Sequence, residues 1–575
     1  MKWIKRTYSV LVVGVITVSV QAAPVVEKPA VMPDAMLSIT VSDLHGFIDG
    51  FGAIAAKASP MMNGAFIKNM VGMQLGDPGL AGIAPGKGLS IVALNATNYF
   101  AVLEVAEAQS AAYANAVKAQ GIQSQYTNGV LVLSKSPEMI ATSSSLVAAV
   151  KSTLLAKRTP TLRIAGQPAV IVERNDEQIQ GFLKMIPALM GPGMMQAPGA
   201  NTNSVDMTAK ILEAEARILL SIASQCQSVE LVIAPENGSI RLSETYVPKA
   251  GTRLAQLGES SKTAKQNPKI QSGILSDEGM VLFDFVLGSP EALANFMVAE
   301  VENVVAGMEL KDVNLTALTD YIVKWTKLCG GSGCETFDFD AEEGIAVNYL
   351  LEVGDAAKAL ELLRSMVKDI APFMKLYEDM GMPMKVEFKE NAAEHKGVKI
   401  HRLEMEISME EMTVEQREQF DAMDLDEMDY DIAIFDGLML FTMGDDEIKS
   451  AIDRIKDPTT AIKPLAARSV YPAEGFYYCD LDVGRYIEFA AAMIADEAQS
   501  PISSQLVAML QGVDPITSAG FRQEGRVMWS VNIPGDLIAK MGQMGMMMQM
   551  QKMQQQQMSA PQEAPADVPQ AAPAQ

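Results

Sequence analysis

The chain has 575 residues, a formal charge of −24 and a hydrophobic content of 49%. This length exceeds what one hydrophobic core supports, so two or more packed domains are expected. The negative charge argues against nucleic-acid binding, which needs clustered Lys and Arg, and against adsorption to an anionic membrane surface.

The N-terminus has the pattern of an export signal. A basic start with Lys2 and Arg6 precedes an apolar run over residues 9–20, which is too short to span a bilayer comfortably. Small residues permit cleavage after Ala22, so residues 1–22 are predicted to be a signal peptide. An uncleaved anchor helix is the alternative. No later segment has the hydropathy of a stable transmembrane span, so the mature protein is expected in a periplasm or outside the cell.

A recurring order of elements organises the rest of the chain. From Gly475 to Pro534, a strand is followed by two helices and a closing hairpin. The last strand, over residues 527–533, alternates apolar and polar side chains, which indicates a sheet with one buried face. Similar modules are predicted to begin at strands over residues 37–41, 169–172 and 280–283.

Two smaller units, each a hairpin followed by a helix, lie between these modules. Their turns are predicted at Asn128-Gly129 and Asp436-Gly437, because Asn-Gly and Asp-Gly favour two-residue hairpin turns. The expected fold class is α+β: a tandem duplication of a unit built from strand-helix-helix-hairpin modules, with mainly antiparallel sheets packed with helices. The two super-repeats are predicted to span residues 30–262 and 269–540. An α+β chain without duplication is the alternative.

Two segments depart from this repeat. Residues 404–431 are acidic and Met-rich and are predicted to be a solvated insertion. Residues 541–575 are Met/Gln-rich and then Pro/Ala-rich, and are predicted to be a disordered tail because the last part cannot bury a core. An extension of the last helix is the alternative for the Met/Gln part, since both residues are good helix formers.

Four cysteines are present, and Cys329 and Cys334 are separated by Gly-Gly-Ser-Gly. The predicted compartment permits disulfides, and the glycines would let a loop bend back, so a Cys329–Cys334 disulfide is one possibility. Zinc is disfavoured because no second Cys or His pair accompanies this one. Cys226 and Cys479 are interpreted as small buried hydrophobes.

Other metal sites are weakly indicated. Carboxylates over residues 421–431 suit calcium, but their spacing lacks the central Gly and final Glu of an EF-hand, so a solvated acidic face is expected. His395 and His401 would share one face of a strand, without further ligands at close spacing. Methionines crowd residues 544–553, where Cu(I) binding, contact with a partner and an adaptable apolar-ligand surface are the alternatives.

No segment carries a specific catalytic or ligand motif, so no catalytic residue and no cofactor is predicted. The leading hypothesis is an exported, non-enzymatic binding or scaffold protein for a macromolecular partner. A carrier of lipid or another apolar ligand is the alternative and requires a long apolar cavity. Copper binding through the Met-rich tail is a second alternative. Trp529 and Tyr486 are interpreted as core residues rather than ligand contacts.

Overall fold

A computed structural model describes the chain from Ala35 to Ser559, together with Met32. Within that span, the residues outside the description are 96, 119–120, 180, 182–215, 261–266, 268–269, 277–278, 287, 308–314, 341–343, 370, 372–373, 375–383, 408–426, 445–446, 458–463 and 493–506.

The described strands are β1 Leu37–Val41, β2 Leu89–Ala93, β3 Tyr99–Leu103, β4 Gln123–Thr127, β5 Val130–Ser134, β6 Leu162–Gly166, β7 Cys226–Glu236, β8 Ser239–Pro248, β9 Val281–Val286, β10 Cys329–Asp340, β11 Gly344–Val353, β12 Met384–His395, β13 Val398–Ile407, β14 Glu427–Phe435, β15 Leu438–Met443, β16 Tyr477–Leu481, β17 Ile516–Gln523 and β18 Arg526–Ile533.

The described helices are α1 Leu44–Ala58, α2 Gly64–Gln74, α3 Glu107–Lys118, α4 Pro137–Ala149, α5 Arg253–Ser260, α6 Ser272–Leu275, α7 Pro290–Gly307, α8 Leu315–Leu328, α9 Ala356–Asp369, α10 Glu447–Lys456, α11 Ala467–Val470, α12 Val483–Ala492 and α13 Gly535–Ser559. Residues 168–179 and 216–225 are also helical.

All 18 described strands lie in one sheet, and every pairing between them is antiparallel. Taken from neighbour to neighbour, the order is β4-β5-β3-β2-β1-β6-β7-β8-β18-β17-β16-β9-β10-β11-β15-β14-β13-β12. With helices packed against this sheet, the chain belongs to the α+β class.

The two halves of the sheet have the same strand order. In residues 37–248 the order is β4-β5-β3-β2-β1-β6-β7-β8. In residues 281–533 it is β14-β15-β11-β10-β9-β16-β17-β18, with the hairpin of β12 and β13 added at the outer edge. Corresponding strands therefore occupy corresponding positions on either side of the centre.

The halves join through their last strands, β8 and β18. Ile240 lies opposite Ile533. Continuing this antiparallel register by three residues places Ser243 beside Ser530, and the Ser530 hydroxyl donates to the Leu242 carbonyl at 3.3 Å. The join is thus an edge-to-edge pairing of equivalent strands, which removes an exposed edge from each half.

Hairpin turns account for much of the local register. Asn128 and Gly129 have φ of 49° and 80°, and Asp436 and Gly437 have φ of 52° and 76°. Positive φ at both central residues defines the turn type that suits the twist of paired strands. Both predicted turns are confirmed.

The predicted strand over residues 37–41 is confirmed with both of its ends. Asp43 caps α1 by accepting from the Gly46 backbone N–H, and Ser289 accepts from the Ala292 N–H at the start of α7.

The strand predicted over residues 169–172 is wrong, because residues 168–179 are helical and the strand is β6. Val170 and Ile171 favour strands by composition, but Pro168 suits the first turn of a helix. The backbone N–H groups of Val170 and Ile171 both donate to the Gln167 carbonyl, which begins that helix.

The predicted insertion and tail also need correction. Glu404–Ile407 belong to β13 and Glu427–Asp431 to β14, so the ends of the 404–431 segment are paired strands. Residues 408–426 lie outside the described part. Residues 541–559 are not a disordered tail but part of α13, as the alternative of a longer last helix predicted. The Pro/Ala-rich residues 560–575 lie outside the described part.

Each half has a hydrophobic core on both faces of its outer strands. In the first half, α4 packs on one face over Val102 and Val132, and α1 and α3 pack on the other over Leu103 and Leu131. In the second half, α10 covers Leu350 and Leu440 on one face, and α8 and α9 cover Leu351 and Met439 on the other. The central strands differ from this pattern, and that difference defines the candidate site.

Candidate functional site

The two faces of the central strands carry different side chains. One face, termed the polar face, includes Ser38, Thr40, Glu230, Asp284, Thr336, Asn348, Thr442, Asp480, Thr517 and Ser530. The other, termed the apolar face, includes a row of Ile91, Ile39, Ile164 and Leu231 and a row of Cys479, Phe283, Glu335, Tyr349 and Phe441.

The polar face is buried and its charges are paired. Asp284 is 1% exposed, accepts from the Ser272 backbone N–H at 2.6 Å, and forms an ion pair with Arg468 at 2.6 Å. Asp480 accepts from the backbone N–H of Ala467 at 2.9 Å. These contacts satisfy carboxylates that burial would otherwise destabilise.

The apolar face retains accessible surface. Leu37 and Ile91 are 37% and 39% exposed, and Ile39, Ile164 and Leu231 are partly exposed. An antiparallel sheet with one covered face normally covers its apolar face. Over β1 and β2 the polar face is thus more buried than the apolar face, whereas Val531 and Tyr477 on the apolar face further along the sheet are buried.

Helices flank this open surface at both ends of the strands. At one end, α12 and α13 pack against Ile516 and Ile533. At the other, Gly258 of α5 lies beside Val527. These helices therefore border the apolar face at β17 and β18. The part of this face from β2 to β11 is termed the floor, and at about 4.8 Å per strand it is roughly 48 Å long.

Aromatic rings form a continuous chain along the floor. Phe283 lies 4.7 Å from Tyr477 and 5.1 Å from Phe285, and Tyr349 lies 6.0 Å from Phe285. The chain continues to Trp529 beside Tyr477, to Phe441 beside Tyr349, and from Phe441 to Trp325 of α8. Such rings supply a large apolar surface whose faces also attract cations.

Gly333 makes room for these aromatic rings on β10. The rings of Phe283, Phe285, Tyr349, Tyr477, Phe441 and Trp529 are termed the aromatic wall. A Cβ built on Gly333 would lie 2.2 Å from the Phe285 ring. The absence of a side chain therefore lets Phe285 lean across β10 towards Tyr349.

Glu335 is a carboxylate within the aromatic wall. It lies opposite Phe283 on β9 and Tyr349 on β11, and Phe337 follows it on the same face. Burial raises the pKa of Glu335 to about 7. Its environment therefore disfavours the charged form, although its side chain is only partly buried.

A second carboxylate on this face, Glu244, has a partner. The Tyr246 hydroxyl donates to Glu244 at 2.5 Å. Burial raises the pKa of Glu244, while the hydrogen bond from Tyr246 opposes that rise. Glu244 is thus satisfied within the protein, in contrast to Glu335.

Arg522 is the cation of the apolar face. Its guanidinium lies 3.9 Å from the centre of the Phe476 ring, and burial lowers its pKa to about 10. Its Nε and Nη1 atoms are buried without a hydrogen-bond partner. Because these atoms are shielded from solvent, a ligand could reach them only if the surrounding side chains moved.

Cys329 and Cys334 are free thiols, and the predicted disulfide between them is absent from this structure. The predicted loop is part of β10, with Cys329 opposite Val353 and Cys334 opposite Leu350. Three residues along β11 separate the two by about 10 Å, whereas a disulfide needs Cα atoms within about 7 Å. The two side chains also pack in different cores, on opposite faces of the sheet.

The other cysteines are free as well. Cys226 is buried, as predicted, and burial raises its pKa to about 11. Cys479 is partly exposed on the apolar face, and burial raises its pKa to about 12. A thiol with a raised pKa is a poor nucleophile at neutral pH.

The structure does not bring the side chains that were candidate metal ligands close to one another. His395 contacts Asp453 at 2.6 Å, and the His401 ring accepts from the Asn391 backbone N–H. Arg402 forms ion pairs with Asp429 and Asp431, while residues 421–426 lie outside the described part. Among the residues that the structure describes, no group of three or more His, Cys, Asp or Glu side chains could hold a metal ion.

The Met-rich segment is mixed in exposure. Met544 is buried against Leu510 and Leu537, whereas Met541, Met546 and Met550 are exposed on α13. The prediction that Tyr486 is a core residue is wrong, because it is 50% exposed. Trp529 is partly buried within the aromatic wall.

No described helix combines the length and the low polarity that a membrane crossing requires. Comparison with protein-family models, with curated proteins and with solved structures gives no match for this chain.

Proposed function

We propose that the protein is an exported carrier or binding protein for an elongated apolar ligand, which lies on the apolar face of the central strands. The observation that carries this proposal is the inversion of burial between the two faces. Leu37 and Ile91 are exposed on the apolar face, whereas Asp284 and Ser530 are buried on the polar face.

In this proposal the apolar face is the floor of a groove, and the length of that floor agrees with a lipid-like ligand. An acyl chain occupies about half of a hydrocarbon core that is ~30 Å thick. A floor of roughly 48 Å therefore offers room for such a chain, or for more than one. The ligand would cover apolar surface at about 25 cal/mol per Å², which is the usual source of affinity in mostly apolar sites.

We also propose that the chain arose by tandem duplication. The matching strand orders and the pairing of equivalent strands β8 and β18 support it. In this account, joining two half-grooves edge to edge produces one long groove. Export is proposed on the predicted signal peptide over residues 1–22.

Dye binding tests the proposed function. We expect the neutral fluorophore N-phenylnaphthylamine to bind the mature protein, and Ile164→Glu to weaken this binding about tenfold or more, because the substitution places a charge on the apolar floor. Met61→Glu is the matched control, since Met61 is 76% exposed outside the groove. Equal binding by both variants and the parent would contradict the proposal.

Two further measurements distinguish loss of dye binding from loss of folding. Thermal unfolding of each variant shows whether it folds. Leu231→Trp fills the groove without adding charge, so weaker dye binding by this variant cannot be due to an introduced charge. Native mass spectrometry of protein from its own host then identifies what is carried. A protein that binds no dye and brings no apolar molecule would rule out the carrier.

Binding of a macromolecular partner and copper binding through the Met-rich segment stay predictions. A truncation that tests the tail should remove residues 560–575 rather than everything after Lys540. The longer deletion would remove Met544, which packs against Leu510 and Leu537. It would also remove Gln543, which donates to the Lys57 carbonyl of α1.

A further inference from the structure

We propose that the carried molecule has a cationic ammonium head group, which binds between Glu335 and the surrounding aromatic rings. This inference rests on the proposed function, since it assigns the polar end of the ligand in the same groove. Glu335 would provide the counter-charge, and Phe283, Phe285 and Tyr349 the ring surfaces.

The first step is the position of the carboxylate. Glu335 shares its face of β10 with Gly333 and Phe337, and its cross-strand neighbours are Phe283 and Tyr349. No hydrogen bond or ion pair links Glu335 to another part of the described chain. Glu335 is partly exposed, so it retains accessible surface on the apolar face.

The second step is the character of the rings around it. Phe283, Phe285 and Tyr349 are linked by ring distances of 5.1 and 6.0 Å, and Tyr477 closes against Phe283 at 4.7 Å. Faces of aromatic rings attract cations, and cages of such rings are a common way to recognise ammonium groups. The Glu335 carboxylate, on the strand between Phe283 and Tyr349, adds a full counter-charge that an uncharged ligand could not use.

The third step is the exclusion of an anionic head. Arg522 is the cation on this face, but its unpartnered Nε and Nη1 atoms are shielded and its guanidinium is stacked on Phe476. It lies three strands from Glu335 across β9, β16 and β17, at about 4.8 Å per strand. Glu244 is already engaged by Tyr246. Among the described residues of the apolar face, Glu335 is therefore the carboxylate that is partly exposed and has no hydrogen-bond or ion-pair partner.

Other titratable groups facing Glu335 do not compete near neutral pH. These are Tyr349, Tyr477 and Cys479, and desolvation raises the pKa of each, to about 12 for Cys479. On the opposite face of β10, the Cys334 thiol also has a raised pKa, and Asp284 is paired with Arg468. Proton uptake by Glu335 should therefore control the binding of a cation.

The experiment compares three dodecyl probes of equal chain length: dodecyltrimethylammonium and dodecanoate below their micelle concentrations, and dodecanol below its solubility limit. Displacement of N-phenylnaphthylamine gives their affinities at pH 8. We expect the cationic probe to bind about tenfold or more tightly than dodecanol. Glu335→Gln should abolish this preference, which is measured as the ratio of the two affinities within the same variant.

A matched control separates the cage from the general acidity of the chain. Glu302→Gln removes the same charge from an exposed position on α7 and should keep the preference. Affinity of the parent for the cationic probe should fall as the pH drops from 8 to 5, and that of Glu335→Gln should not. A preference that survives Glu335→Gln, or preferred binding of dodecanoate, would overturn the ammonium assignment alone. Failure of all three probes to bind would instead contradict the carrier.

Discussion

The polar and apolar faces of the central strands share one backbone but differ in which side chains are buried and paired. On the polar face, Asp284 is buried and held by Arg468 and a backbone N–H. On the apolar face, Ile91 of β2 is left exposed, and Glu335 of β10 is a carboxylate for which the described chain offers no partner. Exposed apolar surface of this kind marks interaction sites in many proteins.

Removal of the buried carboxylate on the polar face should have the largest effect. We expect Asp284→Ala to destabilise the protein by about 3–5 kcal/mol, because it removes the buried carboxylate that pairs with the Arg468 guanidinium. The measurement is the free energy of unfolding in urea. Asp49→Ala is the control; it removes an ion pair with Lys68 in which Asp49 is 56% exposed, and should cost less than about 1 kcal/mol.

Equal costs at the two positions would contradict the description of the polar face as a paired interior. A small loss of stability at both positions would show that Asp284 is solvated in the folded protein. The polar face would then not be a buried interior.

Truncation of a leucine should distinguish a packed core from the groove floor. Leu440 is fully buried under α10, and Leu440→Ala should cost about 2–5 kcal/mol. Leu231 is partly exposed on the apolar face, and Leu231→Ala should cost less than about 1.5 kcal/mol because little packing is lost. Unfolding in urea measures both. If Leu231→Ala costs as much as Leu440→Ala, the floor is an ordinary core and the groove does not exist.

The pH dependence of stability should sharpen the role of Glu335. Burial raises its pKa in the folded protein from the ordinary 4.5 to about 7. The folded state therefore holds this proton more tightly than the unfolded chain, and stability is lost as the pH rises from about 4.5 through 7. Glu335→Gln should stabilise the ligand-free protein by at most about 3 kcal/mol at pH 8, and hardly at pH 5.

Thermal unfolding at the two pH values checks this expectation, with Glu302→Gln as the exposed control. A Glu335→Gln variant that is equally stable relative to the parent at pH 5 and pH 8 would show that Glu335 is not desolvated. The ammonium assignment would then lose its electrostatic basis.

Local sequence patterns predicted the elements better than their assembly. The Asn128-Gly129 turn and the strand over residues 37–41 follow from short-range rules, and both are confirmed. Local composition does not predict the helix at 168–179, because Pro168 outweighs the strand-favouring Val170 and Ile171. The glycines between Cys329 and Cys334 predict a loop because they suit turns, whereas Gly333 instead makes room for the Phe285 ring.

The candidate site could not be read from such patterns. The alternation over 527–533 predicts one apolar face, but whether helices cover that face depends on contacts between distant parts of the chain. Glu335 did leave a signal, since it shares the phase of Phe337 and interrupts an apolar face with a charge. The pairing of Glu335 with Phe283 and Tyr349 depends on strands far apart in the sequence, so its aromatic surroundings emerge only in the folded sheet.

Tryptophan quenching tests the central claim most directly, because Trp529 and Trp325 lie at separate places along the aromatic wall. With Trp3 inside the predicted signal peptide, each of Trp325→Phe and Trp529→Phe leaves one tryptophan in the mature protein. A dodecyl chain brominated near its end should quench both single-tryptophan variants in a saturable manner, and Ile164→Glu should reduce this quenching. Unquenched fluorescence from both variants at saturating ligand would contradict an apolar ligand on this face.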